Sequence, residues 1–172
     1  MQTIGKKIVV VGVLAAGKTT FTRKLVEKTG LSPIFVDTIF WKPDWTYIGD
    51  EAAAKELNDL SSADQWIIEG YLPFEIKEVV FERADKIIFL DYPRLLMLLR
   101  YVSRWWKHRK IPRPELNGNT ERLRWKNVKR VWNKSEAKAL EIFLDRSEFK
   151  NKVVKLKSPN EADIFLKTLF QK

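Results

Sequence analysis

The chain has 172 residues, a net charge of +10 and 45% hydrophobic residues, which suits one folded domain (1–172) with a sizeable core and argues against disorder. It has no cysteine and one histidine, His108. Disulfides, thiolate metal sites and His-cluster metal sites are therefore excluded, and a Ser–His–Asp relay is disfavoured because His108 sits in a basic stretch. The early apolar run Ile8–Val11 is too short for a signal peptide, and Arg100 interrupts Leu95–Leu99 before it could span a membrane, so a cytoplasmic location is expected.

After a short polar lead-in, Lys7–Val11 reads as a strand buried on both faces. Gly12 follows, then Val13-Leu14-Ala15-Ala16, then Gly17-Lys18-Thr19-Thr20. Two glycines bracketing four residues, with Lys-Thr directly after, is the spacing of a phosphate-binding loop. Glycines let the backbone curl so that its N–H groups point inward at oxyanions. A helix starting near Lys18 adds the positive end of its dipole. Gly12, Ala15, Ala16, Gly17, Lys18, Thr19 and Thr20 are the expected nucleotide-binding residues. Lys18 is expected to reach the β- and γ-phosphates, and Thr19 Oγ1 to ligate Mg²⁺. ATP and Mg²⁺ are the expected cofactors; nothing in the sequence separates ATP from GTP.

The first helix should run over 18–29 with Gly30 after it, and Phe21, Leu25 and Val26 recur at helical spacing. Pro33–Asp37 reads as a second strand ending in Asp37. Thr38–Gly49 is rich in aromatics (Phe40, Trp41, Trp45, Tyr47) and is broken by Pro43-Asp44; it should be a loop that covers a core edge, lines a pocket, or both. A helix over 50–63, a strand over 66–68, a helix opened by Pro73 and a strand over 86–90 follow. The next helix starts near Pro93 and mixes leucines with Arg94, Arg100, Arg104 and Arg109. Two prolines make 110–114 a loop. A long helical region is expected over 120–149, broken near 133–135, with Trp125, Val128 and Trp132 as a core stripe. A strand over 152–156 and a helix opened by Ser158-Pro159 complete the chain.

Alternating strands and helices imply an α/β architecture in three layers, a five-stranded parallel sheet with helices on both faces. In such sheets ligands sit beyond the carboxyl ends of the strands. Asp37, Glu69 and Asp91 each close a predicted strand and should project toward the phosphate loop. Asp37 is the first choice for the group that orients or deprotonates an acceptor. Glu69 and Asp91 are candidates, with Thr19, for the metal. Phe40, Trp41, Glu69 and Tyr71, with Asp37, are the candidate acceptor-binding residues.

Charge is unevenly placed. From Arg94 to Lys134 there are 13 Lys/Arg against two acids, a local net of +11, whereas the rest of the chain has 19 basic and 20 acidic residues. A region of about 104–122 is expected to act as an Arg-rich lid, with Arg104, Arg109 and Arg113 as its catalytic candidates. The same basicity, interleaved with Trp105, Trp106, Trp125 and Trp132, also fits a nucleic-acid surface.

The chain resembles the adenylate-kinase-related P-loop proteins known as DNA topology modulation proteins. The resemblance rests on Gly12–Thr20, Asp37-Thr38-Ile39-Phe40-Trp41-Lys42-Pro43, Trp66–Tyr71, Ile88–Arg94 and Arg113-Pro114. Where that family reads Asp-Gly-Asn-Tyr, this chain reads Glu69-Gly70-Tyr71, and its phosphate loop has fewer glycines. The resemblance implies the P-loop nucleoside-triphosphate hydrolase fold of the nucleotide-kinase type, ATP binding, and a link to DNA. Three functions follow as expectations: a kinase acting on a small-molecule or nucleotide acceptor; a nucleic-acid-associated ATPase or regulator; and a nucleotide-binding module with little catalysis.

Overall fold

The computed structural model describes residues 4–112 and 116–169. Five parallel strands form one sheet: β1 (Lys7–Gly12), β2 (Pro33–Phe35), β5 (Trp66–Glu69), β6 (Lys86–Leu90) and β7 (Val153–Leu156), in the order β2-β5-β1-β6-β7. The order places the phosphate-loop strand in the centre. Phe35 and Glu69 end level with Val10, and Leu90 and Leu156 end level with Gly12, two residues further along the same edge. The central strands are apolar on both faces because both faces are covered: Ile8, Val9, Ile67, Ile68, Ile87 and Ile88 have no exposed surface. Each such side chain contributes roughly 1.5–3 kcal/mol by leaving water.

Helix α1 (Lys18–Thr29) and the last helix, α9 (Pro159–Thr168), share one face, where Phe21 stacks on Phe165. Helices α3 (Asp50–Ser61), α4 (Phe74–Arg83), α7 (Ser135–Leu144) and α8 (Ser147–Lys150) cover the other, around Phe81, Phe143 and Phe149. Gly30 ends α1 in the left-handed conformation, its N–H donating to the Val26 carbonyl, as the sequence suggests. Among the described residues, no helix is long and apolar enough to cross a membrane.

Four expectations need correction. β2 stops at Phe35, and Asp37 lies in the first turn of a short helix, α2 (Val36–Phe40), not at a strand end. The aromatic segment after it is ordered: strands β3 (Trp41–Lys42) and β4 (Thr46–Tyr47) form a hairpin around Pro43–Trp45. Residues 120–124 are not helical; α6 (Trp125–Asn133) starts later, and the break falls at Lys134, in the left-handed region at φ 52°. Trp125 and Trp132 are not core: they are 70% and 50% exposed, and the buried residue of α6 is Val131.

After helix α5 (Arg94–His108) the chain turns back, and one tyrosine of α5 receives it on its return. Buried Tyr101 donates its hydroxyl to the Arg122 carbonyl (3.2 Å) and accepts from the Arg124 amide (3.1 Å) and Asn127 Nδ2 (3.2 Å). Tyr101→Phe removes this hub and orphans three buried or half-buried groups. We expect a cost of roughly 1–3 kcal/mol and faster amide exchange at Arg124 in hydrogen-exchange mass spectrometry.

Candidate functional site

The turn between β1 and α1 is closed by the Ala16 amide donating to the Val13 carbonyl (3.1 Å). The N-cap of α1 is Gly17, with no side-chain acceptor, and no acid occupies the first turn. The positive end of a 12-residue helix is thus left uncapped by the chain, ready for an anion. Lys18 Nζ donates to the carbonyls of Gly12 (3.1 Å) and Val13 (3.3 Å), so its ammonium rests on its own loop. Thr19 Oγ1 donates to Glu69 Oε2 at 3.1 Å, joining the helix start to the end of β5. Glu69 is only 6% exposed.

Two cavities open beside this loop. The larger, about 650 Å³, runs between α1, α5 and α9 and is lined by Ala15, Gly17–Thr20, Glu69, Arg100 and Lys107, among others. The smaller, about 490 Å³, has the hairpin as its wall: Phe40, Trp41, Trp45 and Tyr47 line it, with Gly12 and Tyr71. Leu14, Lys18, Asp37 and Arg104 line both, so the cavities meet at the phosphate-loop lysine. The structure therefore brings Lys18, Thr19, Asp37, Glu69 and Arg104 together. The candidate acceptor residues Phe40, Trp41 and Tyr71 share the smaller chamber.

Other expectations fare differently. Ala16 is fully buried; its carbonyl accepts from Arg100 Nη1 (3.3 Å). Arg104 lies within α5, on the helix the sequence gave it, and its guanidinium is paired with Glu121 at 2.8 Å. Arg109 is exposed, stacks on the Trp106 ring at 3.6 Å from the centroid, and lines neither cavity. It lies on the outer surface just after α5, away from both cavities. Arg113 lies outside the described residues. Arg100 takes the place the sequence gave to Arg109: one helical turn before Arg104, it faces the phosphate loop. That four-residue spacing was the signal for it.

Asp91 must also be reassigned. Lys134 and Lys155 both ion-pair with its carboxylate, the latter at 3.2 Å, and Lys155 bridges on to Glu141 at 2.5 Å. Asp91 lines neither cavity. Two ammonium groups thus occupy the carboxylate that was expected at the metal. Burial would raise its pKa, but the hydrogen bonds and charges of the two lysines outweigh it and hold the carboxyl below its ordinary 3.8. A folded value below the unfolded one gives stability that is complete above 3.8 and is lost as pH falls through the lowered value. Asp91→Asn should therefore flatten the acid limb of a stability–pH profile, and cost more at neutral pH than in acid, as read by urea midpoints.

Sequence reasoning missed the clasp on the hairpin. Asn117 Nδ2 donates to the carbonyls of Thr38 and Trp41, both at 2.7 Å. Asn119 Nδ2 donates to the Lys42 carbonyl (2.9 Å), and its Oδ1 accepts from the Trp45 amide (2.9 Å). Residues 117–119 thus fix the aromatic wall. Tyr47 donates to Asp50 Oδ1 at 2.7 Å, and this hydrogen bond pushes its pKa up to about 12, so it stays protonated and is no base at neutral pH.

No protein-family model and no curated protein matches the chain. Among solved structures, the shikimate kinase of Bacteroides thetaiotaomicron is similar, with a TM-score of 0.57 at 18% identity, covering 94% of each chain. At that identity the likeness defines the fold. With the parallel sheet, the P-loop and its helix, the chain has the P-loop nucleoside-triphosphate hydrolase fold in its kinase-like form.

Proposed function

We propose that the protein transfers the γ-phosphoryl group of Mg-ATP to a hydroxyl of a small-molecule or nucleotide acceptor. The observation that supports this best is the pair of cavities meeting at Lys18, Asp37 and Arg104. A hydrolase needs only water beside the terminal phosphate, whereas a second chamber of about 490 Å³ gives room for an organic acceptor.

The roles follow from chemistry. The nucleotide's phosphates displace Lys18 Nζ from the Gly12 and Val13 carbonyls and take its charge. Thr19 and Glu69 would hold Mg²⁺: a hydroxyl and a carboxylate oxygen already in contact are hard donors that suit it. When bound, the ion neutralises charge building on the β- and γ-phosphates. Arg100 adds positive charge beside the transferred group, Arg104, already paired with Glu121, lines both cavities there, and Arg113 remains a candidate from the lid. Asp37 orients the acceptor hydroxyl and takes its proton as the new O–P bond forms and the bond to the β-phosphate oxygen breaks, releasing ADP. A coupled ADP-release assay with ATP and GTP over sugars, nucleosides, nucleotides and hydroxy acids tests this. One class should raise release well above the basal rate; if none does, the reading fails.

A second reading, the nucleic-acid-associated ATPase or DNA topology modulation protein, is favoured by the exposed Trp125 and Trp132 on α6 beside Lys126 and Lys129. Stacking bases on such rings within a basic surface is a known way to hold single strands. Affinity for an oligonucleotide should then fall steeply with added salt, and salt-insensitive or absent binding removes this reading.

A further inference from the structure

We infer that the acceptor carries an anionic group, a carboxylate or a phosphate, held by Arg122, Arg124 and the indole N–H of Trp45 at the hairpin end of the smaller cavity. The inference rests on the two-chamber reading above and names what enters the second chamber.

The arginines lining that chamber are of two kinds. Arg104 is neutralised by Glu121 at 2.8 Å, and Arg130 by Glu136 at 2.5 Å. Arg122 and Arg124 have no carboxylate partner among the described residues. Each guanidinium instead lies 5.7 Å from the centroid of the same Trp45 ring. The ring face orients both planes without neutralising either charge. An anion within reach of both guanidiniums would therefore meet two charges that the ring leaves unneutralised.

A third donor points to the same occupant. Trp45 Nε1 is buried and has no hydrogen-bond partner among the described residues. Buried N–H groups are nearly always paired, and an indole can only donate, so the missing partner is an acceptor. Trp45 is also held in place at some cost. Asp44 and Trp45 both sit in the left-handed region, at φ 61° and 57°, and the Trp45 amide donates to Asn119 Oδ1 across 74 residues of sequence. Strain held by a clasp from a distant segment fits a residue fixed for a ligand. Trp41, Tyr47 and Tyr71 line the same chamber and offer faces to a planar ring. Asp37 lies where the cavities meet, so the reacting hydroxyl sits there and the anionic group at Trp45.

The test is calorimetric titration of the full chain without nucleotide, so that an inactive or nucleotide-free protein still answers. The probes are matched pairs: 4-hydroxybenzoate against 4-hydroxybenzamide, and cytidine monophosphate against cytidine. The anionic member of at least one pair should bind about tenfold or more tightly than its neutral partner. The pair that responds tells carboxylate from phosphate. The double variant Arg122→Gln/Arg124→Gln should lose the preference and each single variant part of it; both side chains are exposed, and near-ultraviolet circular dichroism checks the fold. Arg146→Gln, which breaks a remote pair with Glu78, should keep it. Equal binding within both pairs, no binding of any probe, or a preference that survives the double substitution overturns the inference. Absent ADP release with this preference intact would instead count against phosphoryl transfer alone.

Discussion

Lys18→Ala should lower kcat/KM for phosphoryl transfer by about a thousandfold or more, with little loss of stability. Among the described residues the ammonium makes hydrogen bonds only to two carbonyls of its own loop, and the side chain is half-buried, so truncation leaves no buried charge behind. The fold should notice by under about 1 kcal/mol. Catalysis is another matter. Removing one neutral donor aimed at developing charge costs about 10²–10³ in rate in enzymes generally, and Lys18 supplies a full positive charge between two chambers. The urea midpoint and the kinetic constants, measured on the same preparation, separate the two effects. Calorimetry with ATP and with GTP should show binding in the parent and much weaker binding in the variant. If Lys18→Ala binds nucleotide normally and keeps activity within about tenfold, the phosphate is not where this loop would put it. Binding lost in the variant, with no turnover in either protein, would leave a nucleotide-binding module with little catalysis.

The parts of this site that the sequence revealed are those whose partners are local. A continuous apolar run, two glycines at fixed spacing and a helix start lie within a score of residues, and β1, the turn and α1 followed from them. Glu69 was legible because an apolar strand runs straight into it. Asp37 was misplaced for a related reason: Val36 looks like strand, and only packing shows that the chain has already turned into α2. Trp125 and Trp132 misled more thoroughly. Periodicity shows that a helix has two unlike faces, not which one is inside. In α6 the inward position belongs to Val131, while the tryptophans stand among lysines on the outside. Asn117 and Asn119 left no trace, because the backbone groups they hold lie 74–79 residues earlier and have no side-chain signature.

Gly12→Ala should destabilise the protein by roughly 3 kcal/mol. Gly12 has φ 155°, and a Cβ built on it would stand 2.5 Å from the Leu90 carbonyl oxygen. That oxygen belongs to the neighbouring strand at the paired position, so neither partner can withdraw without parting β1 from β6. The same loop shows the reverse case three residues on. Ala15 sits at φ 63°, where an L side chain is disfavoured and glycine is not. Ala15→Gly should therefore relieve strain at the cost of a more flexible unfolded chain, for a net change within about 1 kcal/mol. Urea denaturation reads both: a much lower midpoint at unchanged slope for Gly12→Ala, and a midpoint near the parent's for Ala15→Gly. A harmless Gly12→Ala would mean that the strands part more easily than their register implies. The loop would then be too soft to present its amides in one fixed array, and a preformed phosphate cradle at residues 12–19 could not stand.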